Sequence, residues 1–502
     1  MKDRLYKLRW VILSLVFWVA AVSYAPREFI DLGGDSAQYI ILAESVINGR
    51  GLSLINYPKS PPSAFSPLFS ILLVPFVYFF GRDFFLMHML VVGFAYFSLF
   101  FFYRMFKQAA GEKIAFFSIT LLVLNRLFFS YTFRILTDIP FIFFCSFTLY
   151  FIEKYKQKSN IFTQEGLLVA VGLILTYLCR YIGMILFLVI LFDFLREKDK
   201  RKIQLKKVLF LASLFLPVVL LWMVRCANIN NPYIVPFSKQ FLLVDYYRPY
   251  LGLITQRPFL LFSRILHNIN FYFYLTGGIL FSPFSKRISF WFFKDVVYFL
   301  GIIIILLGVR NELKEKRYLL AVFLVVYISL LLLWPFCEDG RYLLPVVPLI
   351  IFYFLRGIVS LWSLLKGSKY LFYVCLTIIM GLSFFSISLK KHSYGELPSS
   401  LRNFIEVHKW IKDNLSPKFI IASRKPTITY FYTMHKAITY PFVPIPRIFW
   451  EEIKRHNVQY IIVDEFSPES YYYLLPFIRE YRSKLKLLHR VGNTGVLCVV
   501  RD

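Results

Sequence analysis

Long apolar runs alternate with short Lys/Arg clusters through residues 1–391. Runs of this kind satisfy their backbone groups in lipid only as closed helices. The pattern predicts spans near 9–25, 84–103, 114–131, 140–153, 163–179, 181–195, 208–224, 292–309, 318–334, 343–360 and 370–388. That makes about 11 transmembrane helices. Between alternate spans lie Arg104/Lys107/Lys113, Lys154/Lys156/Lys158, Arg196 to Lys207, Arg310 to Arg317 and Lys366 to Lys369. Short basic loops stay in the cytoplasm, so the N-terminus is expected inside and the C-terminus outside. The apolar stretch Pro62 to Phe80 breaks this alternation and reads as an interfacial or half-inserted helix. Spans 163–179 and 181–195 are short and share Cys179-Arg180-Tyr181 as an outer junction. Ser23-Tyr24-Ala25 resembles a signal-peptide cleavage site, but the many spans that follow favour an uncleaved first span.

Two outer loops are long, about 26–83 and 225–291, and long loops without disorder composition usually carry function. After Lys390/Lys391 the apolar runs stop. Leu401 to Leu415 has the spacing of an amphipathic helix. Phe419 to Ala422, Tyr460 to Asp464 and Val496 to Val500 read as buried strands, with helices at Phe449 to His456 and Ser470 to Leu485. The expected organisation is therefore a polytopic α-helical membrane module, 1–391, followed by a small soluble α/β domain, 392–502, on the outer face.

Composition agrees with lipid as the solvent: 17% of residues are charged and 58% hydrophobic, against roughly 25% charged in soluble domains. A net charge of +29 could indicate nucleic acid, but the cations sit in orienting clusters between spans, and nucleic acid is not an expected partner. The six cysteines are scattered without metal or disulfide spacing.

Candidate chemistry lies on the outer loops. Asp31-Leu-Gly-Gly-Asp35-Ser-Ala-Gln38-Tyr39 opens a helix that stops at Gly49 or Gly51. Asp35 and Gln38 have capping-box spacing, so Asp35 reads either as a simple cap or as a carboxylate held rigidly by the helix start. Thr137-Asp138-Ile-Pro140 is likewise a good helix start. Arg134, Arg180 and Arg341 fall at outer helix ends, against the positive-inside trend. There they could snorkel to headgroups or grip a phosphate through the guanidinium fork.

Gly34-Asp35-Ser-Ala-Gln-Tyr39, Ala43, Asn48-Gly49-Arg-Gly51 and Pro61-Pro62 leading into an apolar helix together resemble the GT-C glycosyltransferases. The nearest likeness is to the bacterial protein O-mannosyltransferase and aminoarabinose transferase superfamily, glycosyltransferase family 39-like. Arg134-Ile-Leu-Thr-Asp138-Ile-Pro140, Arg341-Tyr342-Leu-Leu-Pro345-Val-Val-Pro348 and the run from Trp410 to Asp464 extend the resemblance over nearly the whole chain.

The resemblance implies transfer of a sugar from a polyprenyl-phosphate donor to an acceptor at the outer face of the bacterial inner membrane. Inversion is expected, and the acceptor, whether protein, lipid or glycan, stays open. It further implies that Asp35 is the general base or a metal ligand. Asp138 would orient the acceptor or share a divalent metal with Asp35; no other cofactor is implied. Arg341, Arg180 and Arg134 are the phosphate candidates. Tyr342 and Tyr39, carried in the same motifs, join the substrate-binding set. Lys59 sits near the family's Lys-Pro-Pro element, with Ser60 intervening before Pro61-Pro62. Asp31, Asp245-Tyr-Tyr-Arg248-Pro-Tyr250 and Glu338-Asp339 are weaker candidates. A transporter or flippase, or a noncatalytic assembly subunit, could share the helix count. A transporter would place ionisable or broken-helix sites near the midplane in repeated halves, whereas these candidates gather at one face.

Overall fold

The computed structural model describes residues 2–27, 30–197, 200–229, 241–245, 251–281, 291–335, 340–364, 377, 380–381, 398–465 and 469–500. Glu338-Asp339, Tyr246 to Tyr250, Lys366 to Lys369 and nearly all of the expected 370–388 span lie outside the described residues. The α-helices are α1 Lys2–Tyr24, α2 Asp35–Ile47, α3 Leu68–Phe80, α4 Phe84–Ala110, α5 Glu112–Val123, α6 Arg126–Thr132, α7 Asp138–Gln157, α8 Gln164–Cys179 and α9 Ile185–Leu195. They continue with α10 Arg201–Ala227, α11 Phe259–Leu280, α12 Trp291–Lys314, α13 Leu319–Leu333, α14 Val347–Leu364, α15 Ser399–Asn414, α16 Pro426–Thr433, α17 Pro446–Arg455 and α18 Leu475–Glu480. The chain divides into two compact units, one of residues 1–28, 84–225 and 262–391, the other of residues 29–83, 226–261 and 392–502.

The first unit is helical. Among the described residues four helices are long and apolar enough to cross a membrane, Phe84–Ala110, Arg201–Ala227, Lys294–Lys314 and Leu344–Leu364, and a fifth crossing is made if the bent pair α5 and α6 counts as one span. The remaining expected spans, where described, are shorter apolar helices or, in α7, a helix with charges in its last turns. The expected continuous helix 114–131 is broken by 63°. Asn125 is the cause: its side chain accepts from the amides of Leu127 and Phe128, starting a new helix. Its amide also donates to the Ile279 carbonyl.

Two further expectations are corrected. α10 begins at Arg201 rather than 208, so half of the expected basic loop is helix. Lys207 is fully buried, and its Nζ donates to the carbonyls of Tyr155 and Lys158 at 2.8 Å and of Lys156 at 3.2 Å. It thereby satisfies carbonyls that the end of α7 would leave orphaned. Inside the expected outer loop 225–291 lies α11. Arg264, His267 and Asn268 interrupt its apolar run, which hid it from a hydropathy reading. Asn268 donates to carbonyls of Leu331, Leu332 and Trp334 at the end of α13, and Phe281 stacks on Tyr298 near the start of α12. Helix α11 thus packs against the end of α13 and the first turns of α12.

Helices α12 and α14 pack backbone to backbone. A Cβ on Gly308 would fall 2.0 Å from the Tyr353 carbonyl oxygen, and one on Gly357 1.9 Å from that of Ile304. Only glycine permits this approach, the usual device of helix pairs in lipid.

The second unit holds a five-stranded sheet of β1 Ile420–Ala422, β2 Ala437–Ile438, β3 Val458–Val463, β4 Leu485–Val491 and β5 Thr494–Val499, in the order β2-β1-β3-β5-β4. The first three strands are parallel and the last two antiparallel. Strand β4 was not expected: a mostly exposed edge strand lacks the apolar alternation that marks a buried one. The helix expected over 470–485 ends at Glu480. The core of this unit mixes Leu42, Leu54 and Tyr57 of the first long loop with Ile438, Phe449, Ile461 and Phe477. Residues 29–83 therefore fold with the sheet, whereas the sequence assigned them to the helical module.

Below the sheet, buried His408 accepts at Nε2 from Thr429 Oγ1 (3.1 Å) while Nδ1 donates to the Phe404 carbonyl (2.6 Å). Burial pushes this imidazole down to about 4. The unfolded chain, with a histidine near 6.5, binds the proton first, so stability is full above pH 6.5 and is lost as pH falls towards 4. Between pH 7 and 5 the loss from this residue should be about 2 kcal/mol. Melting of wild type and His408→Gln at both pH values checks it, and an equal acid-induced drop in the two proteins would refute the assignment.

Candidate functional site

In the second unit the Asp35 turn is built from glycines. The cap of α2 is Gly34, at φ 109°, a conformation that a side chain rarely tolerates. A Cβ on Gly33 would sit 2.8 Å from Asp31 Oδ2, so Gly33 lets the Asp31 carboxylate close on the turn. Asp35 is thus the first helical residue, and the capping position falls on a residue without a side chain. A carboxylate there lies in the favourable field of the helix start. Gln38 does not complete a capping box: it is buried and accepts from Thr427 Oγ1 at 3.2 Å. Lys425 Nζ donates to the Gly33 carbonyl at 2.8 Å.

The rest of this loop is braced in the same unit. Arg82 grips Glu44 with two bonds, Nε to Oε1 at 2.6 Å and Nη2 to Oε2 at 3.1 Å, and donates to the Phe431 carbonyl at 2.7 Å. Tyr39 is buried edge-on against Phe69 at 5.3 Å, a packing position. Lys59 is exposed at the tip of a turn in which both Lys59 (φ 63°) and Ser60 (φ 43°) are left-handed. Lys436 Nζ approaches Ser60 Oγ at 3.4 Å.

In the helical unit, Asp138 opens α7 and is completely buried. It is not a simple helix cap. Arg180, in extended conformation at the end of α8, donates from Nη1 to Asp138 Oδ1. Arg341 donates from Nε to both carboxylate oxygens, at 3.1 and 2.9 Å. The two guanidiniums are themselves nearly buried, with side chains 16% and 14% exposed. The Tyr342 ring lies 5.7 Å from the Arg180 guanidinium carbon, and the Tyr342 carbonyl accepts from the buried Tyr327 hydroxyl at 2.9 Å. Cys179 Sγ meets the Thr137 carbonyl at 3.7 Å, tying the two helix ends that carry the pair. Arg134 stands apart, stacked 4.3 Å over the Tyr131 ring.

Among the described residues this cluster brings two largely desolvated guanidiniums to one carboxylate. Guanidinium forks of this type suit a phosphate. Among the described residues no three His, Cys, Asp or Glu side chains cluster as a metal site would require.

The sequence had singled out all three members of the cluster but not their convergence. It missed Lys425, Thr427, Arg82 and Tyr327, none of which belongs to a recognisable motif.

Residues 61–224 match the family model described as dolichyl-phosphate-mannose-protein mannosyltransferase. No curated protein sequence matches the chain. Among solved structures, ArnT from Cupriavidus metallidurans bound to undecaprenyl phosphate superposes with a TM-score of 0.58 at 12% identity, covering 97% of this chain and 96% of that one. Its apo state gives 0.57 at 12% identity, with 99% and 98% covered. The archaeal oligosaccharyltransferase AglB from Archaeoglobus fulgidus, in complex with an inhibitory peptide and a dolichol-phosphate, gives 0.62 at 13% identity, with 92% and 69% covered. The likeness to GT-C glycosyltransferases that the motifs indicated thus recurs in a family model over part of the chain and in fold over nearly all of it.

Proposed function

We propose that this chain, which shares the GT-C fold, is an integral-membrane glycosyltransferase. It moves a sugar from a polyprenyl-phosphate donor to an acceptor hydroxyl at the outer face of the inner membrane, with inversion. In this reading the N-terminus is cytoplasmic and residues 392–502 are periplasmic or extracellular. The observation that carries the proposal is the Arg180/Arg341 pair on one buried carboxylate, in a fold whose solved neighbours hold polyprenyl phosphates.

Asp35 takes the proton of the acceptor hydroxyl as its oxygen attacks the anomeric carbon. The bond from that carbon to the phosphate oxygen breaks, and lipid phosphate leaves with the electron pair. The added negative charge on the leaving phosphate is stabilised by Arg180 and Arg341, cations held in place before the reaction. Asp138 acts through the arginines: it is sealed from solvent and occupied by both. Its role is to hold their forks in fixed orientation, and the proton transfer belongs to Asp35.

The test is sugar transfer by purified protein from a polyprenyl-phosphate sugar, measured against donor concentration. Arg341→Lys keeps a charge and loses the planar fork. It should weaken donor use ten- to a hundred-fold, corresponding to about 1.5–3 kcal/mol for a bond to a charged group. Arg341→Ala should lose at least as much, with detergent melting as the folding control. An Arg341→Lys protein kinetically identical to wild type would exclude the fork as the phosphate ligand.

A further inference from the structure

We infer that Lys425 is a positioning residue for the Asp35 turn, and that the sheet's carboxyl edge serves as the clamp on the catalytic loop. The inference rests on the reading of Asp35 as the base. Open α/β sheets bind their ligands at the carboxyl ends of parallel strands. Here β1 ends at Ala422, its parallel neighbours are β2 and β3, and the chain then runs through Lys425 into the start of α16. What this edge holds is the chain's own turn: Lys425 Nζ donates to the Gly33 carbonyl at 2.8 Å, and Thr427, two residues on, donates to Gln38 at 3.2 Å.

The turn needs such a hold. Gly33 and Gly34 remove the side chains that would stiffen it, and Gly34 sits at φ 109°, so the backbone before Asp35 is intrinsically permissive. Fixing the Gly33 carbonyl fixes the peptide plane two residues before the carboxylate. The base of Lys425 is also fixed, because the Lys425 amide donates to Ser423 Oγ at 3.1 Å. The clamp is therefore a rigid strand-to-helix connection acting on a flexible turn.

A displacement of about an ångström at a reacting group can cost on the order of a hundred-fold in rate. Lys425→Met in the full-length protein should accordingly lower kcat ten- to a hundred-fold, leave donor KM within about a factor of two, and speed amide hydrogen exchange at Gly33 to Asp35. Lys425→Arg, which keeps a donor of similar reach, should restore both the rate and the protection. Wild-type kcat in Lys425→Met would overturn the proposal. So would a loss of rate that follows the melting temperature alone, with exchange at the turn unchanged. If wild type transfers no sugar, the catalytic reading fails, and the exchange comparison still decides whether Lys425 holds the turn.

Discussion

Asp35→Asn should abolish sugar transfer while leaving a folded protein that still binds donor. The amide keeps the shape of the side chain but cannot take the acceptor proton, and loss of a general base costs about 10²- to 10⁴-fold. Donor KM should stay near wild type, because the proposed phosphate ligands are Arg180 and Arg341. Stability should fall by less than about 1 kcal/mol, the usual worth of a carboxylate in the first turn of a helix. The cap falls on the Gly34 backbone in either case. Single-turnover transfer at saturating donor, with binding of the lipid phosphate measured in parallel, separates the two effects. An Asn variant that retains more than about a third of the wild-type rate would end the case for Asp35 as base.

The second large effect is expected at Asp138, in the opposite quantity. Removing one partner of a buried ion pair typically costs about 3–5 kcal/mol, because the remaining charge is left desolvated. Asp138→Ala leaves two guanidiniums facing each other in a site from which water is largely excluded. Melting should drop sharply, and donor KM should rise at least about ten-fold as the forks lose their orientation. An added anion should compensate. Phosphate or a short polyprenyl phosphate should raise the melting point of Asp138→Ala more than that of wild type, by occupying the vacated charge position. Asp138→Asn offers the contrast: loss of turnover with wild-type stability and wild-type donor affinity would return Asp138 to a direct role in orienting the acceptor.

Much of the candidate site was legible because its members lie next to strong local signals. Asp35 follows a Gly-Gly turn at a helix start, Asp138 precedes a proline two positions into a helix, and Arg341 stands in an Arg-Tyr-x-x-Pro element. Arg180 was visible as a charge at the junction of two short apolar helices. Helix ends were less legible. Polar residues inside apolar runs, Asn125 and Asn268, decide where a helix breaks or lies across others, and their hydrogen bonds go to carbonyls far along the chain, Ile279 and Leu331.

The sequence by itself determined the solvent, the alternation of apolar runs and basic clusters, three of the five strands, and the residue types able to bind phosphate or move a proton. All of these are properties of short windows, where hydrophobic period, glycine and charge act on their immediate neighbours. Only the tertiary structure decided that Asp138 gathers Arg180 and Arg341, from positions 42 and 203 residues away along the chain. It alone joined residues 29–83 to the sheet, placed Tyr39 in the core rather than at a surface, and put Lys425 on Gly33, 392 residues apart. Those outcomes depend on which groups must pair once water is removed. A buried carboxylate or an orphaned carbonyl finds whichever partner the packing brings near, and distance along the chain places no limit on the choice.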